Sequence, residues 1–247
     1  MNHYREIEGL PVSMISERVK MPQSTVPVNP NIPVESKKTG TTTVGVKGND
    51  YVLLAADQQA TMGYIASDDD AVKIYRITDY IAVTISGTVG DSLAIIRFLR
   101  AQANLYEIER GTRMTPKALT SMLSNVLNGN RYYPFIFMPI VGGVNEKPEL
   151  YEVTPFGDVM EKKKYAVTGS GTEFALSALD VDYKEGMTKD DALALAVKAV
   201  SISRNRDIHS GGRSITVAII DKDGYREVDT KEVEKAMSKV KLNFSKK

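Results

Sequence analysis

From Thr41 onward the apolar positions change period several times, and each change marks an element. Thr41 to Lys47 is rich in strand formers, Gly48-Asn49-Asp50 is turn chemistry, and Tyr51 to Asp57 is a second, mostly apolar strand. A further strand pair is predicted around Lys73–Thr78 and Ile81–Ser86, broken at Asp79. The period then lengthens. Asp91 to Arg110 places Leu93, Ile96, Leu99, Ala103 and Tyr106 at helical spacing, with Gly111 as a stop. Thr115-Pro116 supplies a cap and a first-turn proline for a second helix, which runs through Leu119, Leu123 and Val126 to Gly129. Strand character returns at Pro134–Val144, Leu150–Thr154 and Tyr165–Thr168, with the turn Pro155-Phe156-Gly157 between the last two. A helix is predicted after Gly171. Another opens at Thr188, where Asp191 fits a capping box and Leu193, Val197 and Val200 share a face. Ser214–Ile220, the turn Asp221–Gly224 and Tyr225–Val228 form a closing hairpin, followed by a short charged helix from Thr230.

Strands, two helices, strands, two helices, strands is not the rhythm of a parallel βαβ sheet. It favours a layered α+β domain with antiparallel sheets and helices packed outside. Residues 1–40 stand apart: they hold Pro11, Pro22, Pro27, Pro30 and Pro33, show no sustained period, and end in the polar run Glu35 to Gly40. They read as an extended, poorly packed leader. No internal repeat and no second boundary follow.

Composition narrows the chemistry. Hydrophobic residues make up 42% and charged residues 26% of the 247, enough apolar material for a sizeable core. Lys+Arg is 32 against Asp+Glu 31, a balance that argues against nucleic acid or an anionic membrane as the main partner. No apolar run approaches the roughly 20 residues of a membrane span. Cysteine is absent, which excludes thiolate catalysis, disulfides and Cys-ligated zinc and is compatible with the cytoplasm. His3 and His209 are the two histidines. With His3 in the leader, a Ser-His-Asp triad or a His-rich metal site is hard to build, so no metal or cofactor is expected. The chemistry falls to Ser, Thr, Lys, Asp and Glu.

Thr41-Thr42-Thr43 at a strand start is, alone, ordinary β-propensity. Its position changes the reading, because Gly40 precedes it at the junction of leader and core. If the bond between Gly40 and Thr41 is cut, Thr41 carries a hydroxyl and a free α-amine with an unperturbed pKa of about 7.7–8.0. The amine can take the hydroxyl proton, a known nucleophile–base pairing. The bland alternative is a protease-sensitive linker. Asp57 ends the strand expected to hairpin back on the first, and Lys73 follows Asp68-Asp69-Asp70. A lysine beside the amine would lower the pKa of amine and hydroxyl, and an aspartate would keep that lysine charged. As a bare pair such residues are more often a surface salt bridge, and spacing alone does not separate the two readings.

At these residues the chain resembles the β-subunits of the archaeal-type 20S proteasome, threonine peptidases of the N-terminal-nucleophile hydrolase family. The resemblance lies in Gly40 before TTTVGVK, Ala55-Ala56-Asp57 within AADQQATMG, Lys73 in VKIYRI, Ser86 to Asp91, Thr168 to Gly171, and Arg206-Asp207 through Ser210-Gly211-Gly212. It departs at Gln58-Gln59, where many relatives carry two arginines. The resemblance implies a four-layer αββα sandwich of two antiparallel sheets flanked by helices. It further implies a propeptide over residues 1–40, removed autocatalytically between Gly40 and Thr41, and a catalytic domain over 41–247. Thr41 would be nucleophile and base, tuned by Lys73, which Asp57 orients. Ser170, Asp207 and Ser210 would support the amine, and the Gly87 N–H would bind the oxyanion. Ala60, Ala71, Ile85 and Val89 would line the first specificity pocket and favour cleavage after hydrophobic residues. Implied partners are other β-subunits in a ring, α-subunit rings, a regulatory ATPase reached through them, and unfolded polypeptides in the cytoplasm. Competing readings are a non-catalytic subunit of the same barrel, the simpler bacterial relative, and an anion-binding protein built on the Thr168–Gly171 turn.

Overall fold

In the computed structural model the residues described are 40–240. The leader expected over 1–40 therefore lies outside them, Gly40 excepted. Two five-stranded sheets carry the core, and every named strand pair is antiparallel. The first sheet has the order β10-β1-β2-β11-β12, with β1 at Thr43–Lys47, β2 at Val52–Asp57, β10 at Tyr165–Thr168, β11 at Ile215–Asp221 and β12 at Gly224–Glu227. The second has the order β5-β6-β7-β8-β9: Ile74–Thr78, Ile81–Thr84, Ile140–Val144, Pro148–Val153 and Val159–Glu161. A separate hairpin pairs β3 (Ala60–Met62) with β4 (Ile65–Asp68).

Successive strand side chains point to opposite faces, and here both faces are covered. Val52, Leu54 and Ala56 of β2 join Ala82, Ile140, Leu150, Ala218 and Ile220 between the sheets. Leu53 and Ala55 of the same strand turn the other way. With Val217 and Ile219 they pack under α3 (Thr172–Asp182), α4 (Lys189–Arg206) and α5 (Thr230–Lys239). On the far side Ile81, Val83 and Val141 meet Ile96, Leu99 and Ala103 of α1 (Val89–Arg110) and Leu119, Leu123 and Leu127 of α2 (Pro116–Gly129). Three cores between four layers are the αββα sandwich. The near-continuous apolar run of β2 follows from burial on both faces.

The helix-end signals fall where expected, although at Thr188 the Asp191 carboxylate takes the hydroxyl rather than the backbone N–H that a full capping box requires. Thr115 Oγ1 accepts from Ala118 N at 3.1 Å at the start of α2, and Gly111 ends α1 with φ 64°. At α4, Thr188 accepts from Asp191 N at 3.2 Å and donates its hydroxyl to the Asp191 carboxylate at 2.8 Å.

Two expectations shift. The strand expected over Pro134–Val144 begins only at Ile140, because Pro134 and Pro139 have no N–H for a ladder. Between them Phe137 is fully buried and forms a lone bridge to Gly87. Ile95, rather than Leu93, joins the buried face of α1. The short strands β3, β4 and β9 had no sequence signal: β4 and β9 are exposed throughout and show no alternation.

Candidate active site

Thr41 stands just before β1, which is flanked in its sheet by β10 and β2. The register Thr43↔Thr168 and Thr43↔Ala56 brings the Thr168-Gly169-Ser170 turn to one side of Thr41 and Asp57 to the other. The three threonines have three separate partners. Thr41 Oγ1 donates to the Gly40 carbonyl at 2.6 Å. Thr42 Oγ1 shares a hydrogen bond with Ser210 Oγ at 2.7 Å, and Thr43 Oγ1 one with Thr168 Oγ1 at 2.7 Å. All three side chains are buried.

Lys73 comes from the opposite sheet, one residue before β5, and crosses to Asp57 with Nζ–Oδ1 at 2.7 Å. The ammonium also faces the Gly40 carbonyl oxygen at 3.5 Å. Asp57 is fully buried, and its carboxylate takes four donors: Thr42 N and Lys73 Nζ on Oδ1, Gly211 N and Gln59 N on Oδ2. Burial pushes the Lys73 ammonium below its usual pKa of 10.5, while Asp57, and more distantly Asp207, pull it back up. The pair is therefore no surface salt bridge.

A second arm reaches the Thr41 nitrogen. Its N–H donates to Ser170 Oγ at 3.1 Å. Ser170 and Ser210 each donate to Asp207 Oδ2 at 2.6 Å, and His209 N donates to Asp207 Oδ1 at 3.1 Å. Asp207 caps the C-terminus of α4, a rigid base for this loop. The chain Thr42–Ser210–Asp207–Ser170–Thr41 N thus closes on itself, and Thr42 N ties it to Asp57. Thr41, Asp57, Lys73, Ser170, Asp207 and Ser210 form one hydrogen-bonded cluster. No buried side-chain nitrogen or oxygen among the described residues lacks a partner.

Glycines allow the close approaches. Gly169 has φ 105°, and a Cβ there would lie 2.0 Å from the Thr41 carbonyl oxygen. At Gly40 the reason is space, not backbone strain: a Cβ would come within 1.7 Å of His209 Cβ and 2.4 Å of its carbonyl oxygen. Gly87, with φ 122°, lies between β6 and α1, backed by Ile136. Its N–H has no acceptor among the described residues.

The four pocket candidates do not form a single buried cluster. Ile85 belongs to the core beneath α1 and α2, Ala60 and Ala71 are half-buried, and Val89 is 52% exposed. Sequence reasoning missed Thr42 and Thr61, the latter accepting from Gly40 N at 2.8 Å. It also noted Gln58 and Gln59 only as departures. Gln58 holds Ser214 N and Thr216 Oγ1, and Gln59 holds the Ile208 carbonyl, so both pin the loop that carries Ser210. Among the described residues no three histidines or carboxylates converge to hold a metal ion. No helix among them is long and apolar enough to cross a membrane.

A family described as "Proteasome subunit" matches residues 37–220. The chain is similar to "Proteasome subunit beta" of Methanocaldococcus fervens, 40% identical over 84% of this chain and 93% of the relative. It is 44% identical to "Proteasome subunit beta 2" of Thermococcus gammatolerans over 78% of this chain and 96% of the relative. The corresponding Pyrococcus furiosus protein is 42% identical over 83% and 98%.

Proposed function

We propose a mechanism for a chain that belongs to the proteasome subunit family and is a β subunit of the 20S core: a threonine-type endopeptidase made as a precursor and activated by its own Thr41. The observation that carries this reading is the Thr41 hydroxyl, 2.6 Å from the carbonyl oxygen of the bond to be cut, with the Lys73 ammonium on that same oxygen.

In the precursor, Thr41 Oγ attacks the Gly40 carbonyl carbon. The C–N bond breaks, the hydroxyl proton passes to the departing Thr41 nitrogen, and Gly40 is left as an ester on Oγ. Water then splits the ester, the leader leaves with a carboxylate, and Thr41 regains its hydroxyl beside a free amine. Until residues 1–40 are removed by this route, Thr41 has no free amine and the precursor is inactive.

In the mature chain the amine takes the Oγ proton, directly or through water, as Oγ attacks a substrate carbonyl. Ser170, held by Asp207, sits 3.1 Å from that nitrogen and orients it. Lys73 places a positive charge beside hydroxyl and amine and lowers the pKa of both, while Asp57 keeps Lys73 protonated against burial. The Gly87 N–H receives the oxyanion, a contact of a kind worth about 2.7–4 kcal/mol. The amine returns its proton to the leaving nitrogen, and water releases the acyl group. Ala60, Ala71, Ile85 and Val89, all apolar, favour a hydrophobic residue before the cut. The subunit works in a ring of β-subunits stacked on α-subunit rings, with unfolded chains delivered by a regulatory ATPase in the cytoplasm.

The test is hydrolysis of a fluorogenic peptide with a hydrophobic residue before the leaving group, by particles assembled with the cognate α-subunit. Thr41→Ala should reduce the rate to background. A Thr41→Ala particle as fast as wild type would overturn the reading.

A further inference from the structure

The contact between the Gly40 N–H and Thr61 has no counterpart in the chemistry above. Thr61 lies on β3, and the β3–β4 pairing is irregular there: Ala60 faces Asp68 but Thr61 faces Ala66, so Ser67 is an extra residue on β4. Ser67 Oγ donates to the Ala60 carbonyl at 3.1 Å and fixes that bulge. Bulges re-aim side chains beside functional sites. Here the outcome is a Thr61 Oγ1 that accepts from Gly40 N at 2.8 Å. The residue ahead of the scissile bond is thus held at both ends, its N–H by Thr61 and its carbonyl oxygen by Thr41 Oγ1 and Lys73 Nζ.

This pose is open to glycine alone. Any Cβ at that position would collide with Cβ, Cα and the carbonyl of His209, and two of those three belong to the backbone, so no rotamer change relieves the overlap. A substrate residue that bears a side chain must present its carbonyl to Thr41 from a different pose. In that pose the N–H to Thr61 Oγ1 contact is not reproduced.

Resting on the reading of Thr41 as the self-cleaving nucleophile, we infer that the Thr61 hydroxyl, as distinct from the Thr61 backbone, is a positioning group for leader removal and not for hydrolysis of side-chain-bearing substrates. The hydroxyl anchors the Gly40 N–H, in the peptide unit before the scissile one, and so restricts the rotation about Gly40 that brings the carbonyl carbon to the Thr41 hydroxyl. Once residues 1–40 have gone, its partner has gone with them. One active site therefore handles two classes of acyl donor, with an anchor reserved for the glycine.

Thr61→Val keeps the size and strand preference of the side chain and removes the acceptor. Leader loss is followed by intact mass during assembly with the α-subunit, and peptide hydrolysis is measured per processed subunit. The ratio of the leader-cleavage rate to the hydrolysis rate should fall about tenfold, the loss of ~1.4 kcal/mol from one step, and Thr61→Ser should restore it. In full-length Thr41→Ala chains, Thr61→Val should also speed hydrogen exchange at the Gly40 amide. Leader cleavage at the wild-type rate, an equal slowing of both rates, or unchanged Gly40 exchange would overturn the inference. Failure of the underlying reading is distinct, because the leader would then be lost or kept regardless of Thr41.

Discussion

Asp57→Asn preserves side-chain shape and removes a charge whose surroundings fix the cost. The carboxylate is fully buried and its four acceptor positions are all taken: Thr42 N at 2.9 Å, Lys73 Nζ at 2.7 Å, Gly211 N at 2.9 Å and Gln59 N at 3.2 Å. Asparagine has one acceptor oxygen, so its NH2 must face two donors whichever way it turns. Removing one partner of a buried ion pair costs about 3–5 kcal/mol, and an orphaned N–H about 1–3 kcal/mol more. With partial relaxation the expected loss is about 4 kcal/mol, roughly 8–16 °C in Tm for a domain of this size. The sign of the pH dependence follows from Lys73. Its folded pKa already lies below 10.5, so between the two values the unfolded state binds the proton more tightly and stability rises with pH. Without Asp57 the folded pKa drops further, and the deficit shrinks as the pH is raised from 7 toward 10. Adding Lys73→Met removes the stranded charge and should recover about 2 kcal/mol. The assay is urea unfolding of full-length chains that also carry Thr41→Ala, so that no leader is lost during the titration. A loss under about 1 kcal/mol, a deficit that ignores pH, or a double variant no better than Asp57→Asn would refute the reasoning.

Gly40→Ala, which drives a Cβ into His209, should slow leader cleavage about 100-fold, as misplacement of a reacting group by about 1 Å can; intact-mass time courses measure it. Gly169→Ala combines a left-handed backbone with a Cβ 2.0 Å from the Thr41 carbonyl oxygen and should cost about 3 kcal/mol in chemical denaturation. Asp207→Asn leaves one acceptor oxygen for the donors Ser170, Ser210 and His209 N and removes the charge that holds them, so kcat for a peptide substrate should fall about 100-fold with little change in KM.

The sequence carries the sheets because β2, β6 and β11 are buried on both faces and read as apolar runs. It carries the helix ends because Thr115, Thr188 and Gly111 announce them chemically. The β3–β4 hairpin leaves no such trace. It packs little apolar surface, yet it holds Thr61. Residues 134–139 look like a strand by composition but lie between two prolines, and their bridge to Gly87 comes from tertiary packing. The same limit governs the site. Thr41 is marked by a leader junction and Asp57 by a hairpin, but the pairing of Asp57 with Lys73, which lies outside that hairpin, does not follow from spacing and is implied only by the family resemblance. Thr42 is not marked, since a threonine at a strand start has many uses and its partner Ser210 lies 168 residues away. Val89, expected beside Ile85, is largely exposed because it opens α1, whereas Ile85 closes into the core.

The central claim is that Thr41 cuts its own precursor and then serves as the nucleophile. Intact mass of wild type and Thr41→Ala, each coexpressed with the cognate α-subunit, tests it most directly. The account predicts a wild-type chain that begins at Thr41 and a Thr41→Ala chain that keeps residues 1–40. Loss of the leader from Thr41→Ala at the wild-type rate, or a wild-type chain that keeps its leader in an assembled particle, would contradict it.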